Sequence, residues 1–362
     1  MRVLHLGAGN VYGGIERVLV ASARHRAEAA MEPEYGFAFA GRASEELAAA
    51  GVPVHVFGAV RASRPWTGWR ARRRLAALLR ARAFDVVVTH ACWPHAMFGA
   101  AVRRAPTRLA HWVHGALGGG HWTERRAARI VPDVLLVNGR FTATTVARVF
   151  PVPAPRVVRC PVELAPSTAD RAAVRARLGA DAATVVILLA ARFDVGKGHD
   201  VLLGALARLR ELDGWACWIA GGPQTPREAR YVEALAARAA GSADGTRVRL
   251  LGPRSDVADL LAAADVVCQP NTAPESFGVG FVEALAAGVP VVTSAFGGAL
   301  EIVDASCGVL VAPGDVEAVA GALRGLITAP ARRRALGAAG PARAREVGDP
   351  GTNLRRLEQA LR

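Results

Sequence analysis

Lysine is almost absent from this chain. Of its 45 cationic side chains one is a lysine, Lys197, and the remaining 44 are arginines. Where either cation would serve, arginine has been used, so the single ammonium marks a position that suits a compact, strongly hydrated point charge. Long apolar runs are absent too. None reaches the ~18 residues of a membrane span, and Met1-Arg2-Val3-Leu4-His5-Leu6 opens as a strand without the layout of a signal peptide. A cytoplasmic protein is expected. The five cysteines, Cys92, Cys160, Cys217, Cys268 and Cys307, lie far apart, with neither Cys-x-x-Cys spacing nor a His-rich zinc pattern. That argues against a disulfide framework and a structural zinc, and predicts reduced, buried thiols.

With 362 residues, 52% of them hydrophobic, the chain can bury two ordinary cores. Short β-branched runs alternate with Ala/Leu/Arg-rich helical stretches, the pattern of parallel α/β domains. Strands are expected at Arg2 to Leu6, Tyr35 to Ala40, Val54 to Phe57, Asp85 to Thr89, Leu109 to Val113 and Val134 to Val137. A second set runs Thr184 to Ala190, Trp215 to Ala220, Arg247 to Leu251, Asp265 to Gln269, Pro290 to Thr293 and Gly308 to Val311. The proline-bearing stretch Pro151 to Pro166 reads as a linker. The domains expected are 1–160, 161–345 and a C-terminal helix, 346–362, that packs back on the first.

The most informative stretch runs Pro274-Glu275-Ser276-Phe277-Gly278-Val279-Gly280-Phe281-Val282-Glu283 and on to Ala287-Gly288-Val289-Pro290-Val291-Val292. Gly278 and Gly280 let a loop approach a ligand closely as it turns into a helix, which Gly288 and Pro290 end. Glu275 then lies just before the helix and Glu283 inside it. A helix start offers unpaired N–H groups and partial positive charge, which suits a pyrophosphate. Taken alone, the pair could be a helix cap and one exposed helix glutamate. With its flanking residues the block resembles the signature of the family-four retaining glycosyltransferases of the type-B fold. That resemblance implies two facing Rossmann-like domains with a cleft between them. It also implies that Glu275, Ser276, Phe277 and Gly278 hold the donor sugar, Val279 the donor phosphate, and Glu283 the ribose of the nucleotide.

Lys197 falls in Ala190-Ala191-Arg192-Phe193-Asp194-Val195-Gly196-Lys197-Gly198-His199, directly after an apolar run. Strand, short glycine-bearing loop and helix form a reasonable phosphate site. The family carries a matching Arg and Lys-Gly here, so Arg192 and Lys197 are implied contacts of the donor diphosphate. In the first half, Gly7-Ala8-Gly9-Asn10-Val11-Tyr12-Gly13-Gly14-Ile15-Glu16 is an imperfect dinucleotide fingerprint, but it matches the family's Gly-Gly-x-Glu element, which points Gly14 at the donor phosphates. His114, at the exit of the strand Leu109 to Val113, matches the histidine that contacts the donor sugar near the reacting carbon. His111 and His121 are rivals in the same segment, while His90, Trp93 and His95 suggest an acceptor side. Arg254 falls where the family approaches the base.

No Asp-x-Asp triplet occurs, the motif with which the other large glycosyltransferase fold holds a divalent metal. Arg192, Lys197 and the helix start would neutralise the leaving phosphate instead, so no metal or other cofactor is expected; the resemblance implies a UDP- or GDP-linked sugar as the donor substrate. Retention in the family is attributed to front-side attack, so Glu275 positions sugar and no nucleophile is assigned. The acceptor is open: lipid-linked, saccharide or small molecule. One departure is Arg159-Cys160-Pro161-Val162-Glu163-Leu164, where family members often read Pro-Asn-Gly-Val-Asp.

Two other classes compete. A non-catalytic nucleotide-sugar-binding or assembly protein would keep the donor motifs; a nicotinamide oxidoreductase would need an intact Gly-x-Gly-x-x-Gly and an acidic end to the second strand. The net charge of +14 lacks any nucleic-acid recognition motif. From Arg61 to Arg82 there are eight arginines and no acidic residue, interleaved with Trp66 and Trp69. A helical wheel gathers Leu75, Ala76, Leu79 and Ala83 on one arc and Arg70, Arg73, Arg74 and Arg80 on the other side, with Arg72 intruding on the apolar arc. Arginine with tryptophan on an outward face suits an anionic membrane surface, here the inner leaflet.

Overall fold

The computed structural model describes residues 1–61, 63–165, 167–240 and 247–362. Two compact units emerge: Met1–Glu163 with Gly348–Arg362, and Leu164–Val347. Unit 1 is built on β1 (Arg2–Gly7), β2 (Glu32–Phe37), β3 (Val54–Val56), β4 (Val86–His90), β5 (Arg108–Val113), β6 (Val134–Val137) and β7 (Arg156–Val157). Unit 2 is built on β8 (Val185–Ala190), β9 (Trp215–Ala220), β10 (Val248–Gly252), β11 (Val266–Gln269), β12 (Val291–Ser294) and β13 (Gly308–Val311). Every pairing is parallel. The orders are β3-β2-β1-β4-β5-β6-β7 and β10-β9-β8-β11-β12-β13. Each order reverses direction once, between β1 and β4 and between β8 and β11, the kind of position where α/β sheets bind ligands at the carboxyl ends of their strands.

Helices cover both faces of such sheets, so the strands read as continuous apolar runs: Val86–His90 is wholly buried and Val185–Ala190 nearly so. Two strands depart from the sequence pattern. β2 runs from Glu32 to Phe37 rather than from Tyr35 to Ala40, and includes Pro33. β3 pairs only with Tyr35, Gly36 and Phe37, so the missing N–H of Pro33 falls beyond its end and costs no ladder bond there. β7 lies inside the stretch read as linker; two residues are too short to show a period. Around it Val158, Cys160 and Val162 are buried, and Val162 N–H donates to Gly348 O at 2.9 Å, so this stretch belongs to unit 1 as far as Glu163. Pro166, the expected end of the linker, lies outside the described residues.

The helix Pro350–Leu361, capped by Asp349 on Thr352 N–H at 2.8 Å, lies in unit 1. Its Leu354, Leu357 and Leu361 join Val3, Val86, Trp112 and Val134 in one apolar cluster, each fully buried leucine contributing ~1.5–3 kcal/mol. The helix Pro65–Ala81 starts on a proline and buries Gly68, Ala71, Leu75 and Leu79. Ala83, expected on that arc, is exposed, because the helix stops at Ala81 and Arg82 is extended. Arg72 folds back to donate from Nε to Gly68 O at 3.2 Å, which lets its stem lie beside the apolar stripe. Trp66 and Trp69 are 53% and 55% exposed, and the Arg73 guanidinium sits 4.6 Å from the Trp69 ring centre. Among the described residues no helix is long and apolar enough to cross a membrane. All five cysteines are unpaired and buried.

Candidate functional site

In unit 2 the loops leaving the neighbouring strands β8 and β11 are stitched together. After β8, Asp194 Oδ1 accepts from Gly196 N–H at 2.8 Å and caps the short turn Val195–Lys197. Thr272 then donates from its N–H to Gly196 O (2.9 Å) and from Oγ1 to Val195 O (3.0 Å). Gly198, at φ +76°, is required here: a Cβ would stand 1.8 Å from Pro270 O. The ends of this loop are stapled by Phe193 stacked on His199 at 4.7 Å and 14°. Burial pushes the His199 imidazole down to about 4, so it serves as a neutral packing ring.

This stitching brings Lys197 Nζ to 2.6 Å from Glu275 Oε2, with side-chain exposures of 27% and 15%. Gln269 Nε2 and Asn271 Nδ2 each lie 3.4 Å from the same oxygen, and Ser276 N–H donates to Oε1 at 3.3 Å. Burial alone would raise the Glu275 carboxyl; the Lys197 ammonium, its hydrogen bond, Ser276 N–H and the Asn271 amide outweigh it and hold the group below the usual carboxylate range. Glu275 is therefore ionised at neutral pH. Glu275 is fixed from behind by the loop after β12. Gly298 N–H donates to Glu275 O at 2.6 Å, and a Cβ on Gly297 or Gly298 would meet Glu275 O or Ser276 O at 2.6 or 2.2 Å.

Gly278, at φ +93°, opens the helix Val279–Ala286 three residues after Glu275. A Cβ there would stand 2.5 Å from Phe281, itself buried. Glu283 is half-buried and follows Val279 by four residues, so both belong to one face of the helix. Arg192 lies between Asp194 and Glu228, at 3.5 and 3.6 Å. Arg254 grips Asp256 with both Nε (2.7 Å) and Nη2; the side-chain hydrogen bonds raise the arginine's pKa and lower the aspartate's.

In unit 1, Gly14 is the first residue of the helix Gly14–Arg24, where the Glu16 carboxylate accepts from Gly13 N–H at 3.0 Å. His114 leaves β5 buried. Its Nε2 lies 2.9 Å from His90 Nδ1, its Nδ1 lies 3.9 Å from Cys160 Sγ, and burial, reinforced by His5, holds its pKa at about 3. Among the described residues no group of three or more His, Cys, Asp or Glu side chains is arranged to hold a metal ion.

Residues 184–329 match the model of the family described as Glycosyl transferases group 1, and residues 12–166 match Glycosyltransferase Family 4. The chain is 34% identical over 304 residues to the D-inositol 3-phosphate glycosyltransferase of Xylanimonas cellulosilytica, covering 75% of this chain and 72% of that protein. It belongs to the group 1, family 4 glycosyltransferases. A second relative of the same description, from Kribbella flavida, is 36% identical over 177 residues, 47% of this chain and 42% of its own length. Among solved structures, Anabaena HepE in complex with UDP and glucose matches 100% of this chain and 99% of its own with a TM-score of 0.88 at 23% identity. The two doubly wound units are thus those of the type-B glycosyltransferase fold.

Of the residues that the sequence singles out in this glycosyltransferase, the fold brings Lys197, Glu275 and Ser276 into direct contact. Phe277 and Gly278 lead from that cluster into the helix that carries Val279 and Glu283. Among the described residues it does not join Arg192 or Arg254 to the cluster through any ion pair; Arg192 is engaged by Asp194 and Glu228, and Arg254 by Asp256. His90 and His95, suggested for an acceptor side, are buried. His121 is exposed and caps a short helix. Sequence reasoning missed Gln269 and Asn271, which a polar pair ending an apolar strand could have signalled, and the Gly297-Gly298 support, which carries no local signal at all.

Proposed function

We propose that this glycosyltransferase moves a hexose from a UDP- or GDP-linked donor to an acceptor hydroxyl with retention and without a metal. Unit 2 serves the donor and unit 1 the acceptor. The observation that carries the donor assignment is the Lys197–Glu275 pair beside the helix Val279–Ala286. An ammonium with three donors spends one on Glu275 Oε2, and the others can face the diphosphate together with Arg192 and the N–H group at Val279. As the glycosidic bond breaks, negative charge grows on the leaving phosphate, and fixed cations stabilise it without reorganising. Glu275, with Ser276, Phe277 and Gly278, orients the sugar; Glu283 takes the ribose hydroxyls and Arg254 approaches the base. His114, its two ring nitrogens taken up by His90 and Cys160, enters the reaction as a neutral ring that carries no charge.

The test is a panel of UDP- and GDP-linked hexoses offered with D-inositol 3-phosphate, which is named in the descriptions of the curated relatives, and with lipid-linked and saccharide acceptors. Transfer with retained anomeric configuration, undiminished by EDTA, is expected. Lys197→Ala should cut turnover at least ~10²-fold at saturating donor. Normal turnover by that variant would remove the phosphate assignment, and binding of donor with no transfer to any acceptor would favour a non-catalytic nucleotide-sugar protein.

A second reading concerns where the enzyme works. On the helix Pro65–Ala81, Trp66, Arg70, Arg73, Ala77 and Arg80 follow one another at helical spacing and all are exposed, with Trp69 beside them. This outward face carries indoles and guanidinium groups without an acid, which favours peripheral docking to an anionic inner leaflet, each cation contributing ~1 kcal/mol. Liposome flotation should require anionic lipid, weaken with salt, and drop when Arg70, Arg73, Arg74 and Arg80 are changed to Gln. Equal recovery with neutral lipid would rule the docking out.

A further inference from the structure

The strand β11 is wholly buried and begins Val266-Val267-Cys268, yet it ends on an amide, Gln269, and a second amide, Asn271, is buried two residues later. A buried amide costs stability unless its groups are paired, and an apolar side chain would avoid that cost. The pairing converges on one place. Gln269 Nε2 donates to Asn271 Oδ1 at 2.9 Å, which leaves Asn271 Nδ2 to face Glu275. Both amide nitrogens stand 3.4 Å from Glu275 Oε2. The backbone beneath them is pinned: Gln269 O accepts from Thr293 Oγ1 at 2.8 Å and from Asn271 N–H at 3.0 Å, and Gln269 lies in register with Thr293 on β12.

With Lys197 Nζ at 2.6 Å, three donors meet at Oε2. The two oxygens of a carboxylate share ~four acceptor sites, so Oε2 is taken up within the protein. Oε1 accepts from Ser276 N–H at 3.3 Å, and among the described residues nothing else engages it. One oxygen therefore keeps capacity for a ligand hydroxyl while the other anchors the group. Lys197, from the loop after β8, is the charged group paired with this carboxylate; the amides come from the end of β11, and the loop after β12 backs it with the uncharged Gly297 and Gly298. The Asn271 amide is among the groups that hold the Glu275 carboxyl low against its burial.

We propose that Asn271 and Gln269 are positioning residues for glycosyl transfer: their amides tie Oε2 of Glu275 to the protein and so present Oε1 to a hydroxyl of the donor hexose. The inference rests on the reading of Glu275 as the residue that orients the sugar. It also fixes how Glu275→Gln must sit. With three donors at the Oε2 position, the glutamine carbonyl turns there and its NH2 faces the sugar, where an acceptor is needed.

Kinetics on the full chain tests this. Asn271→Leu, which keeps bulk and removes the donor, should lower kcat about 10-fold at saturating donor, while UDP and GDP affinities by calorimetry stay within about 2-fold. The acid limb of its kcat profile should move up by ~0.5–1 pH unit, because a carboxylate that loses a donor is protonated more readily. Lost packing alone would leave that limb in place. Gln269→Met, which frees the Asn271 amide to rotate, should do the same to a lesser degree, and isosteric Asn271→Asp, which turns the donor into an acceptor, to a greater one. On the Glu275→Gln background, Asn271→Leu should add less than about 2-fold; losses that multiply would overturn the inference. If Glu275→Gln is crippled while Asn271→Leu keeps its kcat and acid limb, the positioning role is wrong and the proposed function stands. If Glu275→Gln itself transfers normally, the reading of Glu275 has failed and the inference goes with it. Should Asn271→Leu not fold, Asn271→Asp decides, an unmoved acid limb overturning the proposal.

Discussion

Both units wind helices around a parallel sheet and reverse strand order once, yet they treat the polar groups at the ends of their strands in opposite ways. In unit 2 the loops beyond the carboxyl ends of β8 and β11 present a lysine and a glutamate as an ion pair, and the lysine helps hold the buried glutamate ionised. In unit 1 the equivalent strands β1 and β4 carry imidazoles, within β1 and at the end of β4, that burial strips of charge and that hydrogen-bond to one another. A group that must neutralise a phosphate has to keep its charge, and a group that must hold one orientation is better without it. The same architecture can therefore supply a cation on one sheet and a neutral hydrogen-bonding relay on another, according to whether the loop beyond the strand delivers a counterion.

The comparison breaks most visibly under acid. Folded His5 and His95 titrate at about 4 and His114 at about 3, against an ordinary value of 6.5. Below 6.5 the unfolded chain binds protons that the folded unit 1 refuses, so stability falls with pH down to those folded values, by up to about 1.4 kcal/mol per pH unit for each histidine. Unit 2 has one such residue, His199. Its Glu275, held low, keeps its stabilising contribution down to the ordinary value of 4.5 and loses it as pH falls from there through its own depressed value. Hydrogen exchange between pH 7 and 4.5 should show peptides of unit 1 opening before those of unit 2; simultaneous opening would erase the contrast.

The next effect is catalytic. Glu275→Gln leaves Lys197 without its carboxylate and loosens the sugar, so kcat should fall ~10²-fold with less change in donor KM. Glu283→Gln should do the reverse, raising donor KM by the ~1.5–3 kcal/mol of a charged hydrogen bond while kcat holds. Steady-state kinetics on both variants decides whether the two glutamates divide the work; identical defects would show that they do not. Smallest should be Arg254→Ala, because Asp256 already occupies both faces of the guanidinium fork: under about 1 kcal/mol in donor affinity by calorimetry, the scale of an exposed pair.

The sheet order of neither unit could be read from the chain, but nearly every strand could, since continuous Val/Ile/Leu runs have few alternatives. β2 shifted because its first half, Glu32-Pro33-Glu34, carries the composition of a turn while sitting beyond the reach of β3. At the candidate site, the segments that carry Lys197 and Glu275, which the fold brings together, were legible because their neighbours are glycines and prolines with narrow conformational meaning. The contacts made by Gln269 and Asn271, the Gly297-Gly298 backing and the histidine chain were not, since each joins positions brought together only by sheet register: His5 and His90 are 85 residues apart and share no local pattern.

The return of the helix Pro350–Leu361 to unit 1 has a consequence for synthesis. Residues 1–163 are made before unit 2, but Val3, Val86, Trp112 and Val134 lack the leucines that complete their cluster until the helix Pro350–Leu361 has been made. Unit 2, unbroken from Leu164 to Val347, has all its parts earlier. The nascent chain therefore finishes its second unit before its first, inverting the usual N-to-C order, and until the helix Pro350–Leu361 is made it leaves an apolar strip along the sheet of unit 1 uncovered.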